Sequence, residues 1–507
     1  GNGATHLVLS EDHNMPVPVT RTEVCFRPDP RRVITKPFLP TGTFADGSSR
    51  ADRILARILA LPEPVVVETL AATWARFSSR HAELIAVLER SFREVAARVP
   101  EPNSLSTERR RLIGAYFTHE YSVDAAALSN PSMVAAPDQS GVGPDEQRFV
   151  MSLRAIGEGH VSSIQFRSGV VDRQGRVSVD AASSVVCTAR RQAPLYDKAI
   201  FRAKLVELQS FTKTAEYVFE LLPDQFTLQS LDAALRETSA RLERDESVSQ
   251  TTRTIHWLAS SNYESTFDAR SSISARVLFP AAPTESHGME DARFVRFCDD
   301  DGRVTYFATY TAYDGYRILP QLIETRDFVS FRVATLNGKS ATNKGIALFP
   351  RKLDGSFVAL GRLDNENNHL LRSDNIHFWN EQETLQVPES AWELTQIGNC
   401  GSPLETEAGW LVITHGVGPF REYVLGAILL DAKDPARVLG RLAKPLLCAN
   451  EDERDGYVPN VVYSCGSMIF GNHLVLPYGI SDVAARIATV RLEDLLERLT
   501  SRATRST

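Results

Sequence analysis

Glu285-Ser-His-Gly-Met-Glu-Asp-Ala-Arg293 leads without a break into the strand-like run Phe294-Val-Arg-Phe-Cys298. Two adjacent acids, Glu290 and Asp291, and a guanidinium, Arg293, thus stand at the start of a strand. Neighbouring side chains on an extended strand point to opposite faces, so only one of the two acids is expected in any shared pocket. A carboxylic acid near an arginine can donate a proton if burial raises its pKa. The blander reading is a surface acidic pair bridged to Arg293, and this stretch alone does not exclude it.

Downstream, short β-rich runs continue from Thr254 to Val490, among them Val304–Thr311, Trp410–Thr414, Tyr423–Leu430 and His473–Tyr478. Asp299-Asp-Asp-Gly302 reads as a hairpin turn and not as a metal site. Upstream, apolar spacing of three and four predicts helices over about 195–250, broken at Pro223. Before them, Arg148–Arg154 and Val161–Arg167 read as antiparallel strands separated by Gly157-Glu-Gly159. Helical periodicity predicts a short helix over Ile54–Leu59, one long amphipathic helix from Val67 to Val95, and a third over Glu108–Tyr121. Val67, Trp74 and His81 fall on the apolar stripe of the long helix, whose near-heptad spacing suits core packing or a contact between copies. Residues 1–50 show no periodicity and read as an extended arm. A short helix over Leu492–Leu499 closes the β region. Many short strands grouped in this way suggest a propeller or a sandwich.

The 507 residues carry a formal net charge of −7, so no basic excess exists for nucleic acid. No apolar run approaches the roughly 20 residues needed to span a bilayer. The first residues lack the charged-then-apolar pattern of a secretory signal. Six scattered cysteines, without a CxxC pair, suit reduced thiols in a cytoplasm and no zinc site.

Gly288-Met-Glu-Asp-Ala-Arg293 resembles the Gly-x-Glu-Asp-Pro-Arg element of glycoside hydrolase family 130, the β-mannoside phosphorylases and β-mannosidases. Further blocks follow in the family's order, including Ser129-Asn-Pro-Ser132, Asn343-Lys-Gly345, Gly361-Arg362, His415-Gly-Val417 and Tyr478-Gly-Ile-Ser-Asp482. The resemblance spans roughly residues 110–490. It implies a mainly β fold, a five-bladed β-propeller over 106–490, with an N-terminal arm and helical extension over 1–105, a helical insert, and a C-terminal helix and tail over 491–507.

The resemblance also implies roles. Asp291 takes the place of the catalytic acid, which protonates the glycosidic oxygen, in the family's proposed relay, through the sugar's 3-hydroxyl. Lys344, Arg362, Gln396 and His415 take the places of the phosphate-binding groups, with Gln396 where a lysine is usual. Asn130, Arg154, Glu290, Arg293, Tyr313, Asp314 and Asp482 are candidates for binding substrate. Tyr263, Tyr316 and Trp379 are offered as sugar-stacking rings, while Glu158 and His160 are equally turn elements. No metal or cofactor is implied beyond inorganic phosphate as co-substrate. The expected activity is an inverting phosphorylase releasing α-mannose 1-phosphate from β-mannosidic oligosaccharides. The alternatives are an inverting hydrolase, which would need a second carboxylate such as Glu158 or Glu366 to activate water, and a related glycosyltransferase. The expected partners are the oligosaccharide, phosphate and other copies of the chain, with no nucleic acid or membrane.

Overall fold

The computed structural model describes residues 16–242 and 246–501. Its β-structure is dominated by five antiparallel up-and-down runs. The first is Ala127–Ala135, Glu146–Ile156, Ser162–Asp172 and Val177–Val179. The second is Gly288–Cys298, Val304–Tyr313, Ile318–Thr325 and Ser330–Thr335. The third is Ala347–Leu348, Phe357–Gly361, Asn368–Ser373 and Glu381–Gln386. The fourth is Gln396–Asn399, Gly409–Val417, Tyr423–Leu430 and Val438–Arg441. The fifth takes Val462–Tyr463, His473–Ile480 and Ala484–Arg491, and its outer strand is Val19–Phe26 from the other end of the chain.

Each run packs on its neighbours through both faces. In the first run Val134 joins a core with Phe294 and Ala308 of the second, while the adjacent Met133 joins a core with Val475 and Ile487 of the fifth. Val295 of the second packs with Leu348 and Leu371 of the third. Leu370 of the third packs with Val412 of the fourth, and the adjacent Ile413 packs with Leu476 of the fifth. Burial on both faces explains why these strands read as continuous apolar runs instead of clean alternation.

Four helices precede the first run: α1 (Arg50–Leu59), α2 (Glu63–Phe77), α3 (Leu84–Val95) and α4 (Thr107–Tyr116). Ser49 and Asp52 cap α1 reciprocally, and Ser106 caps α4. The single long helix expected over Val67–Val95 is two, because His81 and Arg80 turn out of the helix to bond Glu120, His81 Nε2 at 2.8 Å and Arg80 Nε at 3.1 Å. The expected apolar stripe holds from His81 through Leu84, Leu88, Phe92 and Val95, which are buried, but fails in α2, where Val66 is the buried residue and Val67 and Trp74 are exposed. Residues 1–15 of the expected arm lie outside the described residues, and the rest lies extended on the fold. Val19–Phe26 and Val33–Pro37 are strands, the latter paired with Thr118–Ser122, where α4 was expected to continue.

Four more helices, α5 (Lys198–Glu207), α6 (Lys213–Glu220), α7 (Leu228–Arg241) and α8 (Glu246–Ser260), stand between the first and second runs. Asp197, Thr212 and Thr227 cap α5, α6 and α7. Phe201, Phe219, Phe226, Leu231 and Leu258 give the group its own apolar core. Helix extends to Ser260, past the point where strands were expected to resume. A last helix, α9 (Leu492–Thr500), follows the fifth run. No helix among the described residues is long and apolar enough to cross a membrane.

Candidate active site

The acidic pair opens the first strand of the second run, and there the ladder slips. The register shifts between Glu290 and Arg293, and Asp291 adopts a left-handed φ of 56°. A matching slip on the neighbouring Ala127–Ala135 strand sets Asn130 at φ 51°. Such conformations in non-glycine residues cost about 1–3 kcal/mol each and persist where surrounding structure enforces them. Asn343, Asn365, Ser481 and Asp482 share the left-handed conformation in the same neighbourhood.

The bulge overturns the expectation that Glu290 and Asp291 face apart. Both meet one cluster. Glu290 accepts from Arg154 Nη2 at 2.8 Å and from Lys344 Nζ at 2.6 Å. Asp291 Oδ1 accepts from Asn130 Nδ2. Burial pushes the Asp291 carboxyl upward, but Arg154, Lys344, Arg293 and the Asn130 bond outweigh it and hold the carboxyl below its ordinary range. Asp482 goes the other way. Burial raises it, Arg154 opposes, and the neighbouring charges of Asp291 and Glu290 add to the rise. Two nearby carboxyls are thus driven apart in acidity, Asp291 downward and Asp482 upward.

Arg293 does not bridge to the acids. It is buried, its Nη1 donating to Asn399 Oδ1 at 2.9 Å and its Nη2 to the Tyr463 hydroxyl at 2.7 Å. It acts on Asp291 through its charge. Asn399 Nδ2 also donates to the Gly345 carbonyl at 2.8 Å. Gly345 has φ 88°, and a Cβ there would stand 3.7 Å from Arg293 Nη2 and 4.0 Å from Arg362 Cβ. The Lys344–Gly345 turn is thereby seated against both arginines.

Arg362, Gln396 and His415 form a second group. Arg362 Nη1 is 3.3 Å from His415 Nε2. With its amide oxygen turned to the guanidinium, as charge requires, Gln396 accepts from Arg362 and donates to the Asn365 carbonyl at 3.2 Å. His415 is buried, with Nδ1 3.3 Å from the Asn399 carbonyl and its ring stacked on Tyr423 at 6.0 Å. Burial, then Arg362 and Arg293, hold its pKa well below 6.5, so the imidazole is uncharged.

Other candidates lie apart. Asp314 Oδ1 caps its own turn, accepting from Arg317 N at 2.6 Å and Tyr316 N at 2.9 Å, and the Tyr313 hydroxyl donates to Gly315 O at 3.0 Å. Among the described residues neither is hydrogen-bonded or ion-paired to Glu290 or Asp291. Trp379 and Tyr263 are core residues, not stacking platforms; the Tyr263 hydroxyl donates to the buried Glu285 at 2.6 Å. Tyr316 is exposed, as are Glu158 and Glu366. Asn399, Tyr463 and Tyr423 were not foreseen. Their one sequence signal is a polar or phenolic residue within an otherwise apolar strand. Asp299–Gly302 forms the expected turn, Gly302 N donating to Asp299 O at 2.8 Å.

A protein-family profile described as beta-1,4-mannooligosaccharide phosphorylase matches residues 247–501. The chain is 31% identical over 218 residues to a 1,2-beta-oligomannan phosphorylase of Thermoanaerobacter sp. (strain X514), covering 42% of this chain and 71% of the relative. It is 29% identical over 229 residues to a beta-1,2-mannobiose phosphorylase of Listeria innocua, covering 44% and 63%. Against a beta-1,4-mannooligosaccharide phosphorylase of Ruminococcus albus it is 28% identical over 220 residues, covering 41% and 64%.

Proposed function

This chain belongs to glycoside hydrolase family 130, and we propose that it is an inverting phosphorylase that cleaves β-mannosidic linkages of oligosaccharides with inorganic phosphate, releasing α-mannose 1-phosphate. The observation that carries this reading is the pairing of two groups. Asp291 is held by Asn130 beside Arg154, Glu290 and Lys344, and the Arg362–Gln396–His415 cluster adjoins through Gly345 and Asn399.

A mannosyl unit lies between the groups, its hydroxyls held by Asn130, Arg154 and Asp482. Phosphate sits on Lys344 and Arg362, with Gln396 and His415 as uncharged hydrogen-bonding partners. One phosphate oxygen attacks the anomeric carbon from the face opposite the leaving group. The C–O bond to the leaving sugar breaks, and Asp291 supplies the proton, through the 3-hydroxyl as the family resemblance implies. No protein base is needed, because phosphate is the nucleophile. Arrival of the phosphate dianion offsets the cations that keep Asp291 ionised, so the carboxyl takes up a proton from solvent as phosphate binds and then passes it to the leaving oxygen.

The five β-runs, each packed on the next and the fifth on the first, support reading them as the blades of a five-bladed propeller that falls within 106–490 except for the outer strand of its fifth blade, Val19–Phe26, which the N-terminal segment supplies. The helices α1–α3 belong to the extension over 1–105 and α5–α8 to the insert, with α4 leading into the first blade. The exposed apolar residues of α2 support assembly through the N-terminal helices, and the scattered free cysteines support a cytoplasmic location.

The test is turnover of β-1,2- and β-1,4-linked manno-oligosaccharides with and without phosphate. Turnover only with phosphate, with α-mannose 1-phosphate as product, is expected. Equal turnover in phosphate-free buffer would replace the proposal with hydrolysis.

A further inference from the structure

Phe420 and Arg421 are consecutive non-glycine residues in the left-handed region, at φ 55° and 58°. They form the tip of the hairpin between Gly409–Val417 and Tyr423–Leu430, closed by Gly418 N donating to Glu422 O at 3.0 Å. The strands of this hairpin carry His415 and Tyr423, so the tip belongs to the same element as part of the basic cluster. This is the geometry of a tight two-residue hairpin turn, Glu422 N donating to Pro419 O at 3.1 Å, built here without the glycine or asparagine such turns favour. What the tip presents is a phenylalanine ring 99% exposed. Arg421, beside it, acts electrostatically on Asp482, and its guanidinium lies 5.5 Å from the centre of the Tyr423 ring.

A second exposed ring stands on the segment between the fourth and fifth runs. Tyr457 is 67% exposed and stacks on His160 at 5.8 Å with 29° between the planes. His160 is itself left-handed, at φ 60°. Tyr457 is fixed beside Asp482, because Val458 N donates to Ser481 O at 3.0 Å. The two segments are tied to the same site, the Phe420 hairpin through Arg421 acting on Asp482 and through Tyr423 N donating to Asn460 O at 3.0 Å, the Tyr457 segment through Ser481. Flat apolar faces beside charged hydrogen-bonding groups suit a pyranose, whose C–H faces stack while its rim of hydroxyls bonds.

We propose that Phe420 and Tyr457, the latter backed by His160, form the platform that grips the sugar on the leaving-group side of the scissile bond, with Arg421 bonding its hydroxyls. This rests on the proposed phosphorolysis and identifies which residues choose the acceptor. The platform touches neither phosphate nor the transferred mannosyl unit.

The test uses Phe420→Ala, Tyr457→Ala and Phe420→Gly in the full chain. In synthesis from α-mannose 1-phosphate, the acceptor KM rises about tenfold in each, the equivalent of ~1.4 kcal/mol. The KM values for phosphate and mannose 1-phosphate stay within about twofold. Calorimetric binding of mannobiose to phosphate-free protein weakens by the same factor. Phe420→Gly also raises Tm, because glycine adopts the left-handed tip without strain, while binding sugar as poorly as Phe420→Ala. An unchanged acceptor KM and Kd would overturn the platform. So would an equal rise in phosphate KM, or a changed sedimentation coefficient with unchanged KM, which would assign the tip to a contact between chains. If the wild type binds mannobiose through these residues but releases no mannose 1-phosphate, phosphorolysis falls and the platform stands. If it phosphorolyses mannosides with the variants unaffected, the reverse holds.

Discussion

Asp291 is where geometry and charge are most tightly specified. Replacing it with Asn preserves shape and the contact with Asn130 while removing the transferable proton. General acid catalysis contributes about 10²–10⁴-fold, so Asp291→Asn is expected to lose at least a hundredfold in kcat with Tm little changed; near wild-type turnover on unactivated substrates would refute the role. Gln396 makes the complementary case. A lysine there adds a charge beside Arg362 and the neutral His415. Gln396→Lys is expected to lower the phosphate KM about tenfold and to lower Tm in phosphate-free buffer, with added phosphate restoring it. The identity of the acids was legible in the sequence, but their direction was not. Strict alternation sends Glu290 and Asp291 to opposite faces, and only a bulge dictated by packing against the Asn130 strand turns both inward. Arg293 was visible as a charge, but its burial against Asn399 and Tyr463 depends on partners 106 and 170 residues away.

At the scale of elements, the backbone ladder between the Val19–Phe26 strand and the fifth run is reinforced by one buried carboxylate. Glu453 accepts from Arg21 Nε at 3.1 Å and from the Tyr478 hydroxyl at 2.7 Å, and its carbonyl accepts from the Ser481 hydroxyl at 2.6 Å, next to Asp482. Burial acts to raise the Glu453 pKa, but the bonds from Arg21, Tyr478 and the Asn450 amide prevail and lower it. A lowered carboxyl contributes stability above its unfolded pKa and loses it as pH falls through the folded value. Arg21→Ala removes the bidentate cation but leaves the Tyr478 hydroxyl, the Asn450 amide and Arg486 at 3.7 Å, and is expected to cost about 1.5–3 kcal/mol at pH 7. The gap in Tm from wild type should narrow below about pH 4; a gap independent of pH would show that Glu453 is not the cause. Helices with side-chain caps were legible, since Ser49, Ser106, Thr212 and Thr227 announce their starts. The break between α2 and α3 was not, because it is made by Glu120, a residue beyond both helices.

For the whole molecule, part of the apolar surface left over by the fold lies on the N-terminal helices. Val65, Val67 and Trp74 of α2 and Ile85 of α3 are each at least 40% exposed. If copies meet there, Trp74→Glu should reduce the sedimenting mass to that of one chain while leaving kcat per site within about twofold; a wild type that already sediments as one chain removes the proposal. The order of the β-runs was visible as short strands, but not their mutual packing, since strands apolar on both faces carry no period that names a partner. One pairing has a consequence for biosynthesis. Thr22 donates its hydroxyl to the Ile487 carbonyl, 465 residues along the chain. A ribosome must therefore translate the His473–Arg491 segment before the strand at 19–26 acquires its neighbour. Until then the nascent polypeptide carries an unpaired edge, an invitation to chaperones and to self-association.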